Sequence, residues 1–209
     1  MVTGFQPFPG APFNPTEPLV RHLTHLRRPA LADVELIGHI FPVSYDAVDH
    51  ELPVLLADHR PDALLMFGLA ARTPCVRIET RARNAVTGLW PDARHARRTR
   101  GTIDGTGPNA LAFGAHTALL LRAAVTTGVP AAASRDAGRY LCNYLSWRAI
   151  EAVQADKTGL RLAAFVHVPL VPRTAETRRI GAKPQITAAD LRRVGEALLL
   201  ATVRFARQR

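Results

Sequence analysis

A chain of 209 residues, 47% of them hydrophobic, has enough apolar material to bury a core without disulfide staples, and two cysteines cannot form a disulfide framework. The formal net charge of +10 raises nucleic acid, membrane surfaces and acidic ligands as partners. Nearly all of it is arginine, however, with Lys157 and Lys183 the only lysines, as a biased coding composition also produces. The longest apolar stretches, 118–121 and 197–203, are too short to span a bilayer, so no membrane partner is expected.

Val2-Thr-Gly-Phe-Gln-Pro-Phe-Pro-Gly10 reads as a short strand entering a loop that Pro7 and Pro9 stiffen and that presents Phe5 and Phe8. Two aromatics displayed this way suit a flat apolar ligand, or else plug the core. This opening lacks the basic and apolar regions of a secretory leader, so the expected setting is a reducing cytoplasm with Cys75 and Cys142 as thiols. From Asn14 a helix follows with Leu19, Val20, Leu23 and Leu26 on one face, Thr16 as its cap and Arg27-Arg28-Pro29 as its end. Residues 34–43 read as a strand, 44–58 as a helix interrupted by Pro53, and 62–70 as a strand buried on both faces. Strand, helix, strand is the grammar of an α/β fold.

Residues 73–84 alternate with period two, placing Val76, Ile78, Thr80 and Ala82 on one face and Arg77, Glu79, Arg81 and Arg83 on the other. Glu79 then either pairs with its arginine neighbours on a half-exposed strand or serves a site. Residues 85–109 are rich in glycine, proline and arginine without periodicity, the look of a lid, a contact or disorder. Within them, Arg94-His-Ala-Arg97-Arg98-Thr-Arg100 with Trp90 nearby reads as a solvated or subunit-contacting loop. Nucleic-acid binding is the lesser alternative, since no nucleic-acid motif accompanies the run. Residues 110–127 read as one helix.

A small-residue strand over 129–134 then passes through Gly138 into a helix starting at Tyr140, which puts Cys142 in the first turn. Unpaired N–H groups and the positive end of the helix dipole favour a thiolate there, and the same groups can face an oxyanion. The competing reading of Cys142 is a small buried hydrophobe. Residues 160–172 form a strand that delivers His167 near its carboxyl end, where active groups of open α/β sheets gather, although a histidine there also serves as a structural hydrogen-bonder. Thr187-Ala-Ala-Asp190 resembles a capping box and opens a last helix with Leu191, Val194, Leu198 and Phe205 inward. There is no internal repeat, metal-ligand spacing, phosphate-binding loop or G-x-S-x-G elbow. One α/β domain over residues 1–209 is expected.

The ordered set Gly4-Phe-Gln-Pro-Phe8 with Asn14-Pro15, Gly68-Leu-Ala70, Ile78-Glu79 with Asn84, Ser134 with Ala137-Gly138 and Cys142-Asn143, and Phe165-Val-His167-Val-Pro169 with Pro172 resembles the pyroglutamyl peptidase I family of cysteine peptidases. The resemblance spans most of the chain. It implies a three-layer α/β/α sandwich around a mixed, mainly parallel sheet, assembled as a homo-oligomer, tetramer or dimer. It also implies removal of an N-terminal pyroglutamyl residue from peptides, with Cys142 as nucleophile, His167 as general base and acid, and Glu79 orienting the imidazole. No metal or cofactor is implied. Phe8 and Tyr140 would sandwich the lactam ring with Phe5 beside them, and Asn14 and the backbone at Leu69 would contact its polar atoms.

Two departures stand out against that resemblance. Leu89 replaces an arginine that many bacterial members carry near the site, and Asp136, within Arg135-Asp136, would oppose a thiolate if it faced inward. They motivate an alternative, a degenerate paralogue that binds pyroglutamyl groups without turnover.

Overall fold

The computed structural model describes residues 1–8, 10–99, 101–171 and 186–208, so Pro9, Arg100 and Pro172 lie outside the described residues. In chain order the elements are β1 (Val2–Phe5), α1 (Thr16–Thr24), β2 (Gly38–Phe41), α2 (Tyr45–His59), β3 (Ala63–Leu69), β4 (Val76–Glu79), β5 (Arg81–Arg83) and β6 (Ala110–Ala112). They continue with α3 (His116–Thr126), β7 (Ala131–Ser134), α4 (Leu141–Ala155), β8 (Leu162–Val168) and α5 (Ala188–Arg207).

Six strands form one sheet in the order β2-β1-β3-β8-β4-β7. The first four run parallel; β4 lies antiparallel to β8, and β7 parallel to β4. Period-two alternation gives this sheet two apolar faces. On β8, Ala163 and Phe165 pack with Val48 and Leu52 of α2 and Tyr144, Leu145 and Ile150 of α4. Ala164, Val166 and Val168 pack with Val20 and Leu23 of α1, Leu120 of α3 and Leu191, Val194 and Leu198 of α5. Helices therefore cover both faces, giving the three-layer sandwich with a mixed, mostly parallel sheet. The same parity turns His167 toward the α4 face.

Several element boundaries differ from the sequence expectation, each for a physical reason. Thr16 does not cap α1, whose N-cap is Pro15. Its hydroxyl accepts from the Phe5 N–H at 3.0 Å and donates toward Asn14 Oδ1 at 2.9 Å, tying the loop to β1. The helix ends at Thr24, and Pro29–Leu31 makes a separate 3₁₀ turn. The strand read over 34–43 is paired over Gly38–Phe41, where β1 supplies a partner. Pro53 sits inside α2 without ending it.

The alternation over 73–84 conceals two strands in different sheets. The strand breaks after Glu79, and Arg81–Arg83 pairs antiparallel with Ala110–Ala112, residues read above as the start of a helix. Ala82 consequently joins the α4-side cluster, whereas Val76 and Ile78 join the other.

At the last helix the expectation holds. Thr187 and Asp190 form the reciprocal capping box, and Leu191, Val194 and Leu198 are buried, with Phe205 half-buried against His116. Leu198 has no exposed surface, so Leu198→Ala removes buried apolar contacts and leaves a cavity, lowering stability by about 2–5 kcal/mol in urea denaturation.

Candidate active site

Gly138 adopts φ +83°, a left-handed conformation that strains any residue with a Cβ, and this turn feeds the chain from β7 into α4. Tyr140 is the N-cap residue with extended backbone angles, and no side chain caps the helix. Cys142 occupies the first turn, half-buried against the α4-side core. Its partner in chain order, Asn143, is buried and clamps the helix to β5. The Asn143 Oδ1 accepts from the Arg83 N–H at 2.8 Å, and its Nδ2 donates to the carbonyls of Arg83 and Ala85.

His167 projects from near the carboxyl end of β8 and Glu79 from the end of β4, on the same sheet face. The antiparallel register of these neighbouring strands, Arg77 opposite His167, sets the two side chains side by side. His167 Nδ1 donates to Glu79 Oε1 at 2.7 Å, which leaves the other ring nitrogen for Cys142. Glu79 has no exposed surface. The arginine pairing read from the sequence is present, to Arg77 at 2.9 Å, but the half-exposed setting is not: the carboxylate is enclosed.

Burial works against the charge on Glu79, but the hydrogen bond and charge of His167, then Ser134 and Arg77, hold its carboxyl below the usual range. Burial also opposes the imidazolium. The charge and hydrogen bond of Cys142, followed by those of Glu79, outweigh it and push His167 up to about 9. Gly68 on β3 is required by the same contact: a Cβ there would lie 2.8 Å from Cys142 Sγ and 2.6 Å from the Phe165 ring.

The remaining sequence candidates separate into two groups. Phe8 and Tyr140 are half-buried against the same core cluster as Cys142. The Tyr140 hydroxyl donates to the Pro91 carbonyl at 2.9 Å. Phe5, in contrast, is a core residue, its ring 6.1 Å from Phe41. Asn14 is buried with both ends of its amide engaged: Nδ2 donates to the Gln6 carbonyl and Oδ1 accepts from Thr16. It fixes the loop that carries Phe8. Leu69 ends β3, paired with Val168 beside His167. Asp136 does not point its charge at the sulfur; it is more than half exposed, pairs with Arg83 at 2.6 Å and accepts the Gly138 N–H.

The loop of residues 85–109 is bonded back onto the body at several points. Asn84 holds Ile103 and Asp104, and buried Asp92 accepts the Tyr45 N–H at the start of α2. Arg98 lies over the rings of Tyr45 and Tyr144 and pairs with Asp49. Sequence reasoning left Asp92, Asn143 and Arg98 without roles. The signals available were the place of Asn143 beside Cys142 in the family motif and at a helix start among apolar neighbours, and that of Arg98 in the arginine run.

Two open grooves of about 440 and 640 Å³ lie elsewhere, the first lined by Met1, Glu35, Asp62 and Arg161 at the amino ends of the parallel strands, and neither includes a residue of the Glu79–His167–Cys142 cluster. Among the described residues, no cluster of His, Cys, Asp or Glu could hold a metal ion.

A sequence model of the family described as pyroglutamyl peptidase matches residues 1–202. The chain belongs to the pyroglutamyl peptidase family. The pyrrolidone-carboxylate peptidase of Pyrococcus furiosus is 30% identical over 172 residues, covering 82% of this chain and 81% of the relative. That of Oceanobacillus iheyensis is 29% identical over 197 residues, 94% of each chain. In fold, the pyrrolidone carboxyl peptidase of Thermococcus litoralis superposes with a TM-score of 0.87 at 23% identity, covering 99% of this chain and 94% of the other. The pyroglutamyl peptidase I of Bacillus amyloliquefaciens gives 0.81 at 24% identity, covering 98% and 93%. The family's mixed sheet is thus kept at low sequence identity.

Two outcomes follow from this geometry. Gly68→Ala forces the sulfur or the Phe165 ring aside, so alkylation of Cys142 by iodoacetamide slows at least about tenfold. The pKa of His167 is higher folded, about 9, than the 6.5 of a free histidine, so protonation favours the folded state. That contribution is complete below pH 6.5 and lost as pH rises through 9; urea unfolding across this window shows the loss, and Cys142→Ala diminishes it.

Proposed function

We propose that this chain is a cysteine exopeptidase that removes N-terminal pyroglutamyl residues from peptides, using Glu79, His167 and Cys142 within a single peptidase domain. The observation that carries the reading is the fully buried Glu79 carboxylate 2.7 Å from one ring nitrogen of His167, which leaves the other ring nitrogen for Cys142 in the first turn of α4.

The Cys142 thiolate attacks the pyroglutamyl carbonyl, and the uncapped N–H groups at the start of α4 face the oxyanion that forms. Protonated His167 delivers its proton to the leaving amine as the C–N bond breaks, giving an acyl-enzyme thioester and a free peptide. Neutral His167 then takes a proton from water, whose oxygen attacks the thioester and releases pyroglutamate and the sulfur. Throughout, Glu79 keeps the proton on Nδ1 and offsets the imidazolium charge.

A blocked, uncharged N-terminus needs flat apolar walls and a few hydrogen bonds, and has no use for a carboxylate that would hold an ammonium. Phe8 and Tyr140 supply the walls, the backbone at Leu69 a polar contact, and Asn14 and Phe5 the support of the Phe8 loop. The family resemblance also points to a homo-oligomer, tetramer or dimer. The unpaired thiols of Cys75 and Cys142 suit a reducing cytoplasm.

The placement of Asp136 against Arg83 removes one motive for a pyroglutamyl-binding protein without turnover. The engagement of Arg97 by loop carbonyls and of Arg98 by Asp49 weakens the nucleic-acid reading.

Release of a chromogenic amine from a pyroglutamyl anilide tests the proposal. Cys142→Ala should reduce it by at least about 10³-fold, and kcat/KM should decline as pH rises through about 9, where His167 loses the proton the leaving group needs. Equal release by wild type and Cys142→Ala removes the mechanism.

A further inference from the structure

A carboxylate as enclosed as Glu79 is costly to keep ionised unless its charge is well compensated. With the sulfur ionised and the imidazole protonated, Cys142, His167 and Glu79 together carry one net negative charge. A fourth group completes the balance. Arg77 lies two residues back on β4, on the same face, and opposite His167 in the β4–β8 register.

The guanidinium of Arg77 reaches three acceptors through the two N–H groups of Nη2, so one N–H is shared between two of them. Nη2 donates to Glu79 Oε1 at 2.9 Å, the oxygen that also accepts from His167. It donates to Ser134 Oγ at 2.7 Å and to the carbonyl of Asp136. Ser134 ends β7, and Asp136 leads through Gly138 into the first turn of α4. One side chain, three-quarters enclosed, thus joins the acid of the relay to the turn that delivers the nucleophile.

The other groups around the relay do not do this. Asp136, from the β7–α4 turn, is paired with Arg83 of β5. Tyr140, at the start of α4, is a neutral phenol whose pKa burial pushes up to about 12. Ser134 of β7 is uncharged, and β8 contributes His167 itself.

We propose that Arg77 is a positioning residue for the reaction: it neutralises the buried Glu79–His167–Cys142 relay and locks the β7–α4 turn against Glu79, so that an arginine outside the relay sets its working pH range. The proposal rests on the peptidase reading for its reaction, but its charge effect is measurable without turnover.

The test follows the rate of Cys142 alkylation by iodoacetamide against pH, read by peptide mass spectrometry to separate it from Cys75, alongside kcat/KM on the pyroglutamyl anilide. Loss of a nearby cation raises the pKa of every neighbouring group, acid or base. Arg77→Met should therefore shift the alkylation curve and both limbs of the kcat/KM profile upward by about one pH unit. Arg77→Lys keeps the charge but replaces the planar, preorganised guanidinium with an ammonium on a flexible stem; it should hold the limbs at their wild-type positions while kcat falls severalfold.

A purely structural arginine would lower amplitude in both variants without moving a limb. An alkylation curve unmoved in Arg77→Met, or moved equally in Arg77→Lys, overturns the proposal. Should Arg77→Met not fold, Arg77→Gln removes the same charge and is read by the same criterion. A shifted alkylation curve in a protein that never cleaves the anilide would uphold the charge balance and dismiss the peptidase.

Discussion

The hydrogen bond between Glu79 and His167 sets the terms for everything around it. Removing both a carboxylate and an imidazolium from water costs several kcal/mol per ion, which mutual attraction offsets only with good geometry and further partners. The sheet supplies that geometry by an exception to its own order. β4 enters antiparallel beside β8 at the seam of an otherwise parallel arrangement, which brings the far end of one strand level with the interior of the other. Two charged side chains then share a face that elsewhere holds Leu64, Met66, Ala163 and Phe165.

Rigid supports keep the third member in place. Leu141, Leu145 and Ala149 bury one stripe of α4 against the sheet, so the helix cannot rotate without exposing apolar surface. Asn143 fastens the first turn to β5, and the Arg98–Asp49–Arg148 ion pairs with Tyr144 fasten the middle of the helix to α2 and the long loop. Gly68 clears room for the sulfur between strand and helix. The exposed Leu89 and Trp90 stand on this loop, outside the core and beside Pro91, which binds Tyr140.

Local patterns were enough where one element carries its own signal. A glycine turn followed by period-3.6 apolar residues located the start of α4 to within a residue, and with it Cys142. The apolar run ending in histidine and prolines marked β8 and placed His167 near its end. Patterns failed where the partner, rather than the segment, decides the structure. Residues 76–83 alternate without a break, yet β4 pairs with β7 and β8 while β5 pairs with β6. Phe5 and Phe8 looked alike in one loop, and only the position of Phe41 made Phe5 a core residue.

The sequence by itself determined the α/β class, the helix start that bears Cys142, the strand end that bears His167 and, through its ordered motifs, the family. Periodicity and turn chemistry act over a few residues, and those features are local. The tertiary structure alone decided that Glu79 is buried, that Asp136 is turned to Arg83 and that Arg77 shares the oxygen bound by His167. Each of these depends on which strand lies beside which, and burial and charge pairing are set by neighbours distant along the chain.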